Sequence, residues 1–188
     1  MDDRPRYSAK PLPPYSYVPG FTPHPVSDPR GHLRGKAPEV ATPLDPKRWS
    51  ESGEYRFAVD LFNHGFYWES HEAWESLWHA AGRKGPIASW LKALIKLSAA
   101  AVKLREGNAR GVERHARRTL ELLGELETAN SPDQAWSGLV VDEGDGVSCC
   151  GIELAAVRRM ADILVDEAQA GVTAAPARLL DSWLPLNI

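Results

Sequence analysis

Cysteine is nearly missing from this chain of 188 residues: it has two, Cys149 and Cys150, side by side. Such a pair builds no disulfide framework and no Cys-x-x-Cys metal knuckle. Two reduced thiols near a helix start are the expectation, because an adjacent bridge is strained and a reducing compartment keeps thiols free. Long apolar runs are missing too. The run 99–102 is closed by Ser98 and Lys103, far short of the roughly 20 apolar residues that a membrane helix needs. Excess charge is missing: the net is −3, so no bulk attraction to nucleic acid or to a membrane surface is expected. The first residues, Met1-Asp2-Asp3-Arg4-Pro5, hold acidic groups and no apolar stretch. A secretory leader is therefore not expected, and the cytoplasm is the expected compartment. No Gly-rich phosphate loop occurs, and no motif for a nucleotide, flavin, haem or PLP. Convincing strand pairing and tandem repeats are also lacking.

What is present divides in two. Eleven of the fifteen prolines lie in the first 46 residues, and apolar residues there follow no period. Residues 1–46 read as an extended, polyproline-like arm with no core of its own. Its aromatics, Tyr7, Tyr15, Tyr17 and Phe21, call for a surface to pack on: first its own helical domain, second a partner subunit, which makes the arm the candidate contact of a homo-oligomer. From 47 to 188 the signals are helical.

Ser50 and Ser52 are candidate caps for a first helix carrying Tyr55, Ala58, Val59 and Phe62, stopped by Gly65. A second helix spans about 66–81, with Gly82 as its stop. Pro86 opens a third, to about 106, at a position where its missing N–H costs nothing. That helix is apolar around more than half its circumference, as suits a central element. Asn108 caps a fourth, about 109–127, with Val112, Ala116, Thr119, Leu123 and Leu126 on one face and arginines on the other.

Residues 129–148 read as loop, with 139–141 as an extended piece. The acidic turn from Asp142 to Asp145 lacks the calcium-loop pattern. A fifth helix is expected over about 151–170, with Ile152, Ala155, Ala156, Met160, Ile163 and Leu164 inward, and one helical turn near 179–183. Short connections favour antiparallel neighbours, so the fold expected is all-α: a compact bundle of about five helices with the Pro-rich arm over it.

The segment 71–78, His-Glu-Ala-Trp-Glu-Ser-Leu-Trp, holds the chemistry. As a helix it sets His71, Glu75 and Trp78 at i, i+4 and i+7. Tyr67 and Trp74 fall on the same side, so an imidazole and a carboxylate are expected inside an aromatic stripe, with Glu69, Ala73, Ser76 and Ala80 facing solvent. His and carboxylate four apart on a helix form a two-point metal geometry. A further ligand has to come from elsewhere: His115, His64, His24 or His32. Glu72, a quarter turn away, is the candidate general base. Trp78 is the candidate site wall, and Lys96 and His115 are candidate ligand-binding groups. The bland alternative is a His71–Glu75 pair that only pins helix two against its neighbours.

The run from Phe62 to Trp78, with Phe62-Asn63-His64-Gly65 leading into His71, Glu75 and Trp78, resembles the signature of the prokaryotic family called domain of unknown function 309, His-x-x-x-Glu-x-x-Trp/Tyr. Residues 94–101 and 107–111 resemble its second block. The resemblance covers roughly residues 50–127. It implies a small all-helical bundle, and a metal-binding role suggested by the His and Glu. Two positions depart from the pattern: Lys96 stands where Gln is common, and Lys103 where His is common. A metal set in relatives that used that His lacks the ligand here.

Three functions follow as expectations. The first is a divalent-metal site for metal-assisted hydrolysis, with a divalent ion as the candidate cofactor, His71 and Glu75 as ligands and Glu72 as catalytic base. The second is a non-enzymatic helical scaffold or interaction module. The third is an anion, nucleotide or RNA binder through Arg110, Arg114, Arg117 and Arg118. It is disfavoured because Glu106, Glu113 and Glu121 interleave and no stacking aromatics sit among the arginines.

Overall fold

The computed structural model describes residues 4–37, 40–129, 140–142 and 147–187. Five helices carry the fold: α1 (Gly53–Asn63), α2 (Tyr67–Ala80), α3 (Pro86–Arg105), α4 (Ala109–Ala129) and α5 (Leu154–Ala170). A short 3-10 turn, Trp49–Glu51, precedes α1. The all-α expectation holds. Ser52, not Ser50, caps α1, its side chain accepting from the Tyr55 N–H at 3.2 Å. Pro86 sits in the first turn of α3. Asn108 caps α4 by accepting from the Gly111 N–H at 2.9 Å.

α3 lies between α2 and α4, and α5 closes on α3 and α4. Three contacts set the register. Ser70 Oγ meets Ser98 Oγ at 3.4 Å between α2 and α3. Thr119 Oγ1 donates to the Ala93 carbonyl at 3.5 Å between α4 and α3. The Lys103 stem lies over Gly111, where a Cβ would come within 2.8 Å of Lys103 Cγ. Later residues of α3 thus meet earlier residues of α4, an antiparallel pair. The core is aromatic at one end: Tyr55, Trp74 and Trp90 are fully buried, the Trp90 indole N–H donates to the Tyr55 hydroxyl at 3.2 Å, and the Tyr55 and Trp74 rings lie 5.2 Å apart edge to face. The Trp90 and Tyr55 tips satisfy each other in this way because an orphaned donor is costly, while the Trp74 indole N–H has no partner among the described residues.

Both termini wrap this bundle. Among its described residues the arm has no helix or strand, and Asp60 on α1 anchors it. Fully buried, this carboxylate accepts from the Tyr7 N–H (2.7 Å), the Ser8 N–H (2.9 Å) and the Ser8 hydroxyl (2.6 Å), and pairs with Arg6 at 3.1 Å. The C-terminal tail, 171–187, is held by Asn63, whose amide donates to the Leu184 carbonyl (2.9 Å) and accepts from the Leu184 N–H (2.8 Å). The Tyr67 hydroxyl accepts from the Leu180 N–H at 2.8 Å, and Tyr7 of the arm accepts from the Leu186 N–H at 3.1 Å.

Four expectations are corrected. A small antiparallel sheet exists, ordered β1 (Val140–Asp142), β2 (Val147–Cys149), β3 (Ile152–Glu153), with Val140 opposite Cys149 and Cys149 opposite Ile152. Cys150 and Gly151 both have positive φ, 49° and 76°, as a tight two-residue hairpin requires; this delays α5 until Leu154. The tail forms no helical turn at 179–183, because its backbone bonds go to side chains of α1 and α2 instead. Ala155 and Ile163 are exposed, off the stripe of Val157, Met160, Ala161 and Leu164 that faces the core. Phe21 is 53% exposed, while Tyr7 packs against the core. Cys149 and Cys150 are buried free thiols. Residues 130–139 of the expected loop and 143–146 of the expected acidic turn lie outside the described residues.

Candidate metal centre

Helix α2 is covered on two sides, and this decides where its polar groups point. The bundle takes Tyr67, Ser70, Trp74 and Leu77. The arm takes the face with Trp68 and Glu69. There the Tyr17 N–H donates to Glu69 Oε1 at 2.8 Å, and Tyr17 and His24 stack edgewise on Trp68 at 5.2 and 5.4 Å. The sector left open holds His71, Glu72 and Glu75. Two expectations therefore reverse. Glu69, expected in solvent, is 7% exposed. The His71–Glu75 pair, expected inside the aromatic stripe, is half-buried at its edge.

The open sector gathers three donors. One ligand atom each from His71, Glu72 and Glu75 lies within 4.8 Å of the others. His71 Nδ1 stands 3.2 Å from Glu72 Oε1. Among the described residues no other group of three His, Cys, Asp or Glu side chains comes so close. Glu72 is thus brought into the donor group itself. Trp78 is half-buried at the lower end of the sector, with the Arg83 guanidinium 5.7 Å over its ring.

Lys96 and His115 come to the same place from α3 and α4. Lys96 feels the charges of Glu75, Lys92, Arg114 and Arg118. Burial first, then the neighbouring cations, lowers its ammonium pKa. His115 is pushed down to about 4, by burial first and then by Lys96, Arg114, Lys103 and His71. It is neutral at ordinary pH and accepts from Arg114 Nη2 through Nε2 at 3.2 Å.

The other candidate histidines go elsewhere, and His79 accepts from Arg83 Nε through Nδ1 at 2.8 Å. His24 stacks with Tyr17 and Trp68, and His32 lies edge-on to Tyr15 at 4.7 Å. His64 caps the end of α1. None joins the three donors.

Glu69 and Arg105 escape a reading of helix periodicity. Arg105 is 4% exposed. It donates to the Arg178 carbonyl at 2.7 Å and to Ser16 Oγ at 3.0 Å, with its guanidinium 4.6 Å over the Tyr67 ring. Burial raises the Glu69 carboxyl to about 7, against the pull of the Tyr17 N–H. Its Oε2 is buried with no hydrogen-bond partner among the described residues. The charge of Asp60 inside the apolar run of α1 was a signal of the same kind, open to reading from the sequence.

Fold and site together define an all-α protein with a His/Glu donor group at the surface end of a helical bundle. Residues 55–115 match the family model described as Domain of unknown function (DUF309). The match takes in about a third of the chain, from α1 into the first third of α4, and includes every residue of the donor group together with Trp78, Lys96 and His115. No curated protein and no solved structure matches the chain. Among the described residues no helix is long and apolar enough to cross a membrane.

Proposed function

We propose that the protein binds one divalent metal ion through His71, Glu72 and Glu75 and uses it for metal-assisted hydrolysis. The supporting observation is the convergence of one imidazole and two carboxylates within 4.8 Å on an open helix face. Ligand bonds of about 2 Å would draw these atoms together by small rotamer changes. One nitrogen and two carboxylate ligands suit Zn²⁺, Mn²⁺ or Fe²⁺ better than a soft ion such as Cu(I). Three protein ligands leave positions for a water and a substrate oxygen, and a bound ion acidifies that water.

The scaffold reading needs the pair to hold helices together. His71 and Glu75 lie at the edge of the bundle instead, and His71 bonds to its neighbour Glu72. The two readings part in a thermal-shift titration with Zn²⁺ and Mn²⁺. With metal at about 100 times its Kd the wild type gains about 2.7 kcal/mol, and His71→Ala and Glu75→Ala lose that gain. In chelator each variant stays within about 1 kcal/mol of the parent, because half-exposed polar groups contribute little. Variants that melt in chelator, or a parent that gains nothing from any divalent ion, contradict the proposal.

A further inference from the structure

The helix faces beside the donor group carry positive charge: Lys92, Lys96 and Lys103 on α3, and Arg110, Arg114, Arg117 and Arg118 on α4. Along α3 one line of side chains, Lys92, Lys96, Ala99 and Lys103, is half-buried, while Leu91, Leu97, Ser98 and Ala100 beside it are buried. This line is the floor of the strip between α2 and α4. Register places its contents. Ser70 sits on Ser98, so His71 stands over the Lys96–Ala99 turn. His115 lies one turn from both Gly111, which meets Lys103, and Thr119, which meets the Ala93 carbonyl. His71 and His115 therefore flank the strip from opposite sides, and Ala99 leaves room between them.

Counter-ions decide which charges remain. Arg117 pairs with Glu113 at 2.8 Å, and Arg118 with Glu121 at 2.7 Å and Glu125 at 3.1 Å. Lys103 pairs with Glu106 at 2.7 Å. Lys92, Lys96 and Arg114 form no ion pair among the described residues. The one carboxylate whose charge reaches Lys96 is Glu75, and the two form no ion pair. What remains is a short knot of three cations around a small residue.

We propose that this strip is a phosphoryl-binding subsite, and that a phosphorylated small molecule is the substrate class of the metal centre. The chemical role rests on the metal reading; the anion contacts do not. Cations on α3 and α4, with a metal on α2, approach from separate directions. That suits a tetrahedral anion with several oxygens better than a planar carboxylate. Arg114 supplies a fork of donors and the lysines supply point charges. A polymer needs a longer track, and the glutamates of α4 interrupt it. Hydrolysis there forms one P–O bond from water and breaks the P–O bond to the leaving oxygen, which takes the proton that water gives up.

The test is calorimetric titration of inorganic phosphate at fixed ionic strength, in chelator and with Mn²⁺, with metal content measured on the same samples. Lys96→Gln and Arg114→Gln should each weaken phosphate binding by at least about tenfold, as loss of a charge-assisted contact does. Lys96→Arg should restore most of it, and Arg117→Gln should change it less than about twofold because Glu113 already neutralises that residue. Phosphate bound without metal, with this pattern, supports the subsite while the metal reading fails. Metal held with no effect of Lys96→Gln and Arg114→Gln overturns the subsite while the metal reading stands. An RNA oligonucleotide bound more tightly than phosphate and dependent on Arg117 overturns it in favour of a polymer surface.

Discussion

Glu69 and Glu72 sit one turn apart on α2 and meet different solvents. Glu72 is exposed beside His71, while Glu69 lies under the arm with one oxygen bonded to the Tyr17 N–H and the other without a partner among the described residues. The Glu69 carboxyl is raised from the ordinary 4.5 to about 7, chiefly by burial. Between these values the folded chain keeps a proton that the unfolded chain has released. Stability therefore falls as pH rises from 4.5 to 7, and the full penalty, on the order of 3 kcal/mol, is present above that. Glu69→Gln keeps an acceptor for the Tyr17 N–H and carries no charge. In chelator it should flatten the fall in melting temperature between pH 4.5 and 7 and stand above the parent at pH 8. Equal pH profiles would contradict this account of Glu69. The sequence made Glu69 look solvent-facing because helix periodicity knows only the bundle side. The arm buries a second face, and no periodicity reports a cover that comes from 50 residues away.

At the scale of elements, α1 acts as a clasp between the two termini. Asp60 receives four polar contacts from the arm, and Asn63 takes two from the tail. Asp60→Ala leaves the part-buried Tyr7 and Ser8 N–H groups without their acceptor and should cost roughly 3 kcal/mol in denaturant unfolding. Proteolysis should then cut the arm within 4–37 before the helices, and an arm as resistant as in the parent would contradict the clasp.

The turn after α1 is as constrained. Gly65 has φ +80°, and a Cβ there would come within 2.1 Å of Leu179 Cδ2 and 2.6 Å of Arg105 Nη2. Gly65→Ala should cost about 2 kcal/mol or more by the same unfolding measurement, from left-handed strain and overpacking together; a neutral outcome would show that the tail yields. Helices α1 to α4 were legible because their caps and breakers are local: Ser52, Pro86 and Asn108 lie where the structure uses them. The start of α5 was not. Its apolar period begins at Ile152, and only the positive φ of Cys150 and Gly151 reveals that Ile152 and Glu153 belong to a strand.

For the whole molecule, a central α3 brings side chains from three helices to one strip. His71, Glu72 and Glu75 come from α2, Lys92 and Lys96 from α3, and Arg114 and His115 from α4. The residues named from sequence were found by spacing within single helices; their meeting depended on register between helices, which spacing does not carry. The central claim is that the three donors of α2 hold a metal. The most direct measurement is metal content by mass spectrometry, under native conditions, of protein purified without a His-tag, beside its His71→Ala and Glu75→Ala variants. One divalent ion per chain in the parent and none in the variants is the predicted result. A metal-free parent that takes up no ion on incubation with Zn²⁺ or Mn²⁺, or variants that retain the ion in full, would contradict it.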